Sequence, residues 1–241
     1  MPDIDEDTVD IRPWPIAELV GRAVVLATVA RRGMIDLDED RDLFEMEADQ
    51  FDLSAWGRTE LQGWLSARDV ELLTRPAGEM NENDLAACEE ALIGASTIAW
   101  ALRAVDAPEL PVPQDGSAEH ATLEWAPEPW EKVQSLRQRA RLRSDEDLGR
   151  ERERWELWYW RTTDAEGDSE ALADVVAEIE DAGLIPIVLG DFATAAGEPF
   201  SQVSQSAKDD IAWLAEIRLR TMNWICGFGH DWNSAPLYID E

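Results

Sequence analysis

Lysine is nearly absent from this sequence. Lys132 and Lys208 are the only two, and arginine supplies every other base. The skew matches the codon usage of a GC-rich genome, and no function is read from it. Cysteine is as scarce. Cys88 and Cys226 each fall on an apolar helical stripe, so a disulfide scaffold is excluded and reduced, buried thiols are expected. Cys88 reads as a small core residue rather than a nucleophile, because no histidine lies on a neighbouring helical face. No apolar run approaches the ~18–20 residues that span a bilayer, which argues against a membrane protein. There is no Gly-rich phosphate loop, no zinc-type Cys/His spacing, no nucleophile elbow and no internal repeat. The opening residues, 1–10, are acidic, unlike a secretory signal or a mitochondrial transit peptide. The expectation is an acidic, disordered arm on a cytoplasmic protein.

Positive charge is scarce overall: 52 acids face 21 bases, for a net charge of −31. Such a surface repels a phosphate backbone, which argues against direct DNA or RNA binding. Three readings of the excess remain. It can be a solvated surface suited to salty cytosol, a surface that meets a basic protein partner, or a set of carboxylates that binds a divalent cation.

What the chain does have is helical periodicity. Ile16, Leu19, Val20, Ala23, Val24, Ala27 and Ala30 predict a helix over 16–33, with Arg31 and Arg32 in its last turn and Gly33 ending it. Residues 51–75 read as two short helices, the second opened by Ser66 with Asp69 and stopped by Pro76. A long helix follows over 82–105, capped by Asn81 or Asn83. Residues 106–127 are rich in proline and form the candidate linker, with His120 solvated inside it. Beyond it, Trp130, Val133, Leu136 and Ala140 begin a helix whose Arg137, Arg139, Arg141 and Arg143 suit pairing with nearby acids, phosphate binding being the alternative.

Ser144 with Asp147 opens the next helix, which ends near Arg161. Its run from Trp155 to Trp160 reads as core, with a ligand-stacking cage as the alternative. A helix over 170–182 closes at Gly183. Residues 184–189 have strand character that Pro186 confines to an edge, and 190–205 read as loop. The last helix starts at Ser206 with Asp209, carries a broad stripe through Ile211, Leu214, Ile217, Leu219, Met222 and Ile225, and stops at Gly227. Trp213 and Trp224 widen that stripe. The tail His230-Asp231-Trp232-Asn233 is polar and aromatic, and is expected to be half-buried at best.

Two places could carry chemistry. Asp36, Asp38, Asp40 and Glu47 stand where a calcium-binding helix-loop-helix places ligands, with Asp42 beside them. Arg41 occupies the position where that loop needs glycine for its turn, so the alternative is an acidic loop that starts a helix. The second place is the end of the last helix, where Arg220, Asn223, His230, Asp231 and Trp232, with Asp240 further on, could form a site. His230 beside Asp231 could act as a base or a metal ligand. The alternative is that these residues cap the helix.

Four blocks resemble a family of uncharacterised, mainly bacterial proteins known as domain of unknown function 4272. They are Gly21-Arg22-Ala23-Val24-Val25-Leu26 with Arg31-Arg32; Trp64-Leu65-Ser66-Ala67-Arg68-Asp69-Val70-Glu71-Leu72-Leu73; Glu89-Glu90-Ala91-Leu92 with Trp100-Ala101-Leu102 and Leu110-Pro111; and 216–232, with Met222-Asn223-Trp224 and Asp231-Trp232. The chain departs from the family pattern at Glu216-Ile217-Arg218 and at Asp231-Trp232-Asn233. The resemblance implies an all-helical cytosolic protein and no particular reaction.

The expectation is therefore an all-α fold in which a lobe at 1–105 packs on a lobe at 128–241, with the C-terminal helix at the seam. No cofactor is expected, calcium at residues 36–47 being the one candidate. The functional expectation is a non-enzymatic acidic interaction module of the inhibitor or immunity type that binds a basic protein partner. The alternative is an enzyme or metal-binding protein with a site at His230 and Asp231.

Overall fold

The most apolar part of the chain is also the most enclosed. In the computed structural model, helix α1 (Ile16–Leu37) is buried at every residue from 19 to 30, as a helix with apolar residues on all sides must be. The structure describes residues 11–106, 117–163 and 169–239. The acidic arm at 1–10, the prolines at 108, 111 and 113, the loop at Gly167 and Asp240 lie outside them.

Helix α4 (Glu82–Ala101) runs against α1, while α2 (Leu43–Glu60) and α3 (Ala67–Thr74) cover its other faces. Gly33 does not end α1. A Cβ there would lie 2.5 Å from the Cβ of Cys88, so the glycine lets α1 and α4 approach, and the helix continues to Leu37. Arg31 and Arg32 are consequently not in a last turn. They serve the C-terminal ends of two other helices instead. Arg32 donates to the carbonyls of Arg75 and Pro76 just beyond α3. Arg31 donates to those of Leu123 and Ala126 at the end of α5 (Ser117–Trp125).

Helix α2 replaces the first of the two short helices expected over 51–75. Asp42 caps it by accepting from the Glu45 amide at 2.9 Å, so it starts well before residue 51. Its first turns carry Leu43, Phe44 and Phe51 on the solvent side, which hides the helical period from sequence inspection. Ser66 and Asp69 form the expected capping box of α3, and Asn81 with Asp84 forms that of α4.

Helix α5 corrects the linker. Part of the segment at 106–127 is helical and packs on α4 and α1, with Glu119 and Thr122 buried. Helices α6 (Gln134–Arg139), α7 (Asp145–Thr163) and α8 (Ser169–Ala182) follow. Among the described residues the arginines at 137–143 hydrogen-bond to backbone carbonyls and the Gln134 side chain and lie over indole rings. None of them forms an ion pair with a carboxylate among the described residues, although Ser144 and, more weakly, Arg143 help to hold the Asp147 pKa down. Arg143 donates to Trp100 O at 2.8 Å and lies over the Trp100 ring, and Arg137 lies over Trp64. The loop expected at 190–205 holds half of a small hairpin. Strand β1 (Ile187–Val188) pairs antiparallel with β2 (Asp191–Phe192) through Leu189 and Gly190, both at positive φ (52° and 76°).

Helix α9 (Gln205–Ile225) is capped by Ser204, two residues ahead of the expected Ser206. It lies between α4 and α7, as a stripe broad enough to touch both sides requires. Trp224 is buried and stacks on Trp14 at 6.2 Å; Trp213 is half-buried against the same core. Gly227 ends the helix at φ 93°. The fold is all-α apart from the hairpin. One contiguous core spans both halves of the chain, because α1 also touches α6.

Candidate functional site

The residues expected to form a site at the end of α9 are separated by burial. Asn223 is fully enclosed. Its carbonyl accepts from Arg152 Nε at 2.7 Å and its amide donates to Pro236 O at 2.8 Å, which ties α7 and the tail to α9. Trp232 is buried, not half-exposed. Its Nε1 donates to Thr221 Oγ1 at 3.0 Å, and the guanidinium groups of Arg22 (5.2 Å) and Arg220 (5.5 Å) both lie over its ring. Space for it exists because residue 94 is glycine: a Cβ there would sit 2.5 Å from the indole. Arg220 is further held by Glu90 at 3.0 Å. His230 and Asp231 point outward, and Asp231 caps the short 3-10 turn at Trp232–Ser234. Arg220 and Trp232 thus come together in a packed seam, and His230 stands apart from Asn223.

The calcium-like loop is divided in a similar way. Asp36 belongs to α1 and turns inward. It receives Arg32 at 2.6 Å and the amides of Gly78 and Met80 at 3.1 Å each. Burial raises its pKa, but these donors outweigh burial and the net direction is down. Asp38 accepts from the Asp40 amide and pairs with Arg41, which also meets Asp49, and Asp42 caps α2. Glu47 is exposed on α2. Among the described residues no three His, Cys, Asp or Glu side chains are grouped to hold one metal ion.

The interior holds charges in balance. Among the described residues five arginines are buried (Arg22, Arg32, Arg152, Arg161 and Arg218), and so are five carboxylates (Asp69, Asp84, Glu119, Glu151 and Asp191). Arg22 pairs with Asp69 at 2.6 Å, Arg161 with Asp191 at 2.8 Å and Arg218 with Glu119 at 3.4 Å. Arg218 lies over Trp155, and burial lowers its pKa to about 10 against the pull of Glu119 and Glu151. These ten charges cancel, so among the described residues the excess of acid lies on exposed and half-exposed side chains.

That surface has one distinctive face. Met34, Leu37, Leu43, Phe44 and Phe51 are exposed on the end of α1 and on α2, Phe44 at 79%. Glu39, Asp40, Asp42, Glu45, Glu47, Asp49 and Asp52 are exposed between them. Met34 and Leu37 form a ridge between two grooves. One, of about 820 Å³, runs between α1 and α2 towards Pro129; Asp38 and Asp49 on its walls are paired with Arg41, Arg31 also lines it, and Asp52 and Glu128 add further carboxylates. The other, of about 530 Å³, runs between α1 and α4 over Leu85 and Leu92. The signal that could have found this face is apolar residues out of phase with the core stripe and flanked by acids.

Both thiols are enclosed and chemically quiet. Burial pushes Cys88 up to about 11, Arg32 pulling the other way, and pushes Cys226 up to about 12 against Arg152. Neither is therefore expected to react with a thiol reagent in the folded protein. A slow reaction that becomes complete only in denaturant would agree with this, and fast labelling of either cysteine in buffer would contradict it.

No family model matches the chain, and no curated protein or solved structure matches it.

Proposed function

We propose that this protein is a non-catalytic interaction module that holds a basic protein partner against the anionic face of α2 and the end of α1. One observation carries the reading. Among the described residues the buried charges sum to zero, three pairs of them meeting directly, and the acidic excess lies outside, where it surrounds exposed phenylalanine, leucine and methionine side chains. A solvated surface evolved only for solubility has no use for Phe44 at 79% exposure. Apolar anchors ringed by charge are how interfaces combine affinity with specificity. The anchors provide buried area, and the charges select and steer an oppositely charged partner. The partner that fits presents lysine or arginine around a few apolar side chains that enter the two grooves, as a basic amphipathic helix does.

The test compares the wild-type protein with a Phe44→Ser, Phe51→Ser variant. Both residues are exposed, so folding is retained. The probe is an amphipathic peptide with leucine on one face and lysine on the other. Binding to wild type is expected to weaken as salt rises through 50–300 mM, on the order of tenfold, because surface charges are screened. The variant is expected to bind at least about tenfold more weakly, since truncating buried anchors costs ~1–2 kcal/mol each. Equal binding by both proteins, or equal binding of an acidic peptide of the same pattern, would overturn the assignment. Recovery of a basic protein from lysate by wild type and not by the variant would identify the partner.

A further inference from the structure

The aromatic run on α7 is sorted by helix geometry into two faces. Trp155 and Trp158 are fully buried in the core. Tyr159 and Trp160 are half-buried and line a pocket of about 430 Å³, together with Tyr238 of the tail, which is exposed at its mouth. Tyr159 and Tyr238 meet edge to face at 5.7 Å and 62°, which sets two walls at an angle to each other. Leu219 of α9 also lines the pocket. Leu157, Val175 of α8 and Leu237 add further apolar surface, and two carboxylates, Glu153 and Glu156, are the charged part of the lining. Glu156 is engaged by Arg152 at 3.0 Å. Glu153 is exposed and makes no ion pair among the described residues.

From this lining we infer that the pocket binds an alkylated ammonium group. Ring faces carry a negative quadrupole that attracts a cation, and the attraction is strongest where several faces converge. The carboxylate of Glu153, which makes no ion pair among the described residues, adds the same sign of attraction. An anion would meet that carboxylate and the ring faces, both repulsive. A hard metal ion needs a shell of oxygen donors, and most of this lining is carbon. A neutral apolar ligand would bury part of the Glu153 charge without a counter-ion, which costs free energy. A methylated ammonium satisfies all of these conditions, because its surface is apolar while its charge is positive and diffuse. The pocket lies on α7, α8, α9 and the tail, so this inference stands apart from the face of α2.

The test uses choline and its neutral isostere, 3,3-dimethylbutan-1-ol, followed by tryptophan fluorescence and by proton NMR of the ligand. Choline is expected to bind at least about tenfold more tightly than the alcohol, since the two differ only in charge. Tyr238→Leu, with its thermal midpoint measured alongside to separate binding from stability, is expected to weaken choline binding at least about fivefold. Glu153→Gln is expected to weaken it about threefold and to leave binding of the alcohol unchanged. A trimethyllysine peptide run beside free choline distinguishes the source of the group: tighter binding of the peptide assigns the pocket to a modified protein, and tighter binding of choline assigns it to a small metabolite. Equal affinity for choline and the alcohol, absence of choline binding, or an unchanged affinity in Tyr238→Leu would overturn the inference.

Discussion

Replacing Asp191 with alanine is expected to lower the unfolding free energy by about 3–5 kcal/mol, the cost of leaving a buried charge without its partner. Asp191 is 4% exposed and receives Arg161 Nε at 2.8 Å, Arg161 Nη2 at 3.0 Å, the Ser201 amide at 2.7 Å and the Phe192 amide at 2.8 Å. It therefore fastens α7 to the hairpin and to the turn before α9. Without it the Arg161 guanidinium, itself buried and over the Phe200 ring, has lost its counter-charge. Urea denaturation reads the loss directly. Replacing both partners, Arg161→Met with Asp191→Leu, is expected to recover most of it, because no orphaned charge then remains. A double variant as unstable as Asp191→Ala would show that the cost comes from packing.

The same residue gives a pH dependence of known sign. Burial raises the pKa of Asp191, but the donors from Arg161, Ser201 and Phe192 outweigh burial, and the net direction is down from the ordinary 3.8. A carboxylate whose native pKa lies below its unfolded value stabilises the fold fully above the unfolded pKa. That contribution is lost as pH falls through the native value. The stability gap between wild type and Asp191→Asn is therefore expected to be constant near neutrality and to close below about pH 4. A gap that widens on acidification would contradict the assignment of charge.

Trp232→Ala is the second large effect, expected to cost about 3–5 kcal/mol as a buried large-to-small change. For a chain of this size that is a fall of roughly 6–20 °C in thermal midpoint. The indole occupies a notch that the missing side chain of Gly94 leaves in α4, and it carries the hydrogen bond to Thr221 and the two guanidinium contacts. Gly94→Ala alone overfills the notch and is expected to cost about 1–3 kcal/mol. The two changes should couple: in the Trp232→Ala background, Gly94→Ala should cost much less or nothing. Additive costs would mean that the notch and the indole are independent.

These two residues also show where sequence inspection reaches its limit. The capping boxes at Ser66 and Ser144, the apolar periods of α1, α4 and α9 and the positive-φ stop at Gly227 are encoded within a few residues, and all are present. Gly33 and Gly94 lie within helices and could only be understood once Cys88 and Trp232 were placed against them. Helix α5 was hidden by the surrounding prolines, and the first turns of α2 by apolar residues that face water. His230 and Asp231 are adjacent in the chain and looked like a site. The seam instead enclosed Trp232 and Asn223 and left those two outside.

By itself the sequence determined the all-helical character, most of the helix boundaries and the net charge of −31, since these are local signals or simple totals. Only the tertiary structure decided which charges cancel. Arg22 meets Asp69, Arg161 meets Asp191 and Arg218 meets Glu119 across long stretches of chain, and burial enforces each pairing because an isolated charge in the interior is too costly. That selection removes balanced pairs from the surface and leaves the acid outside. Packing likewise set which apolar residues stay in water, and so placed Phe44 and Phe51 among the carboxylates of α2.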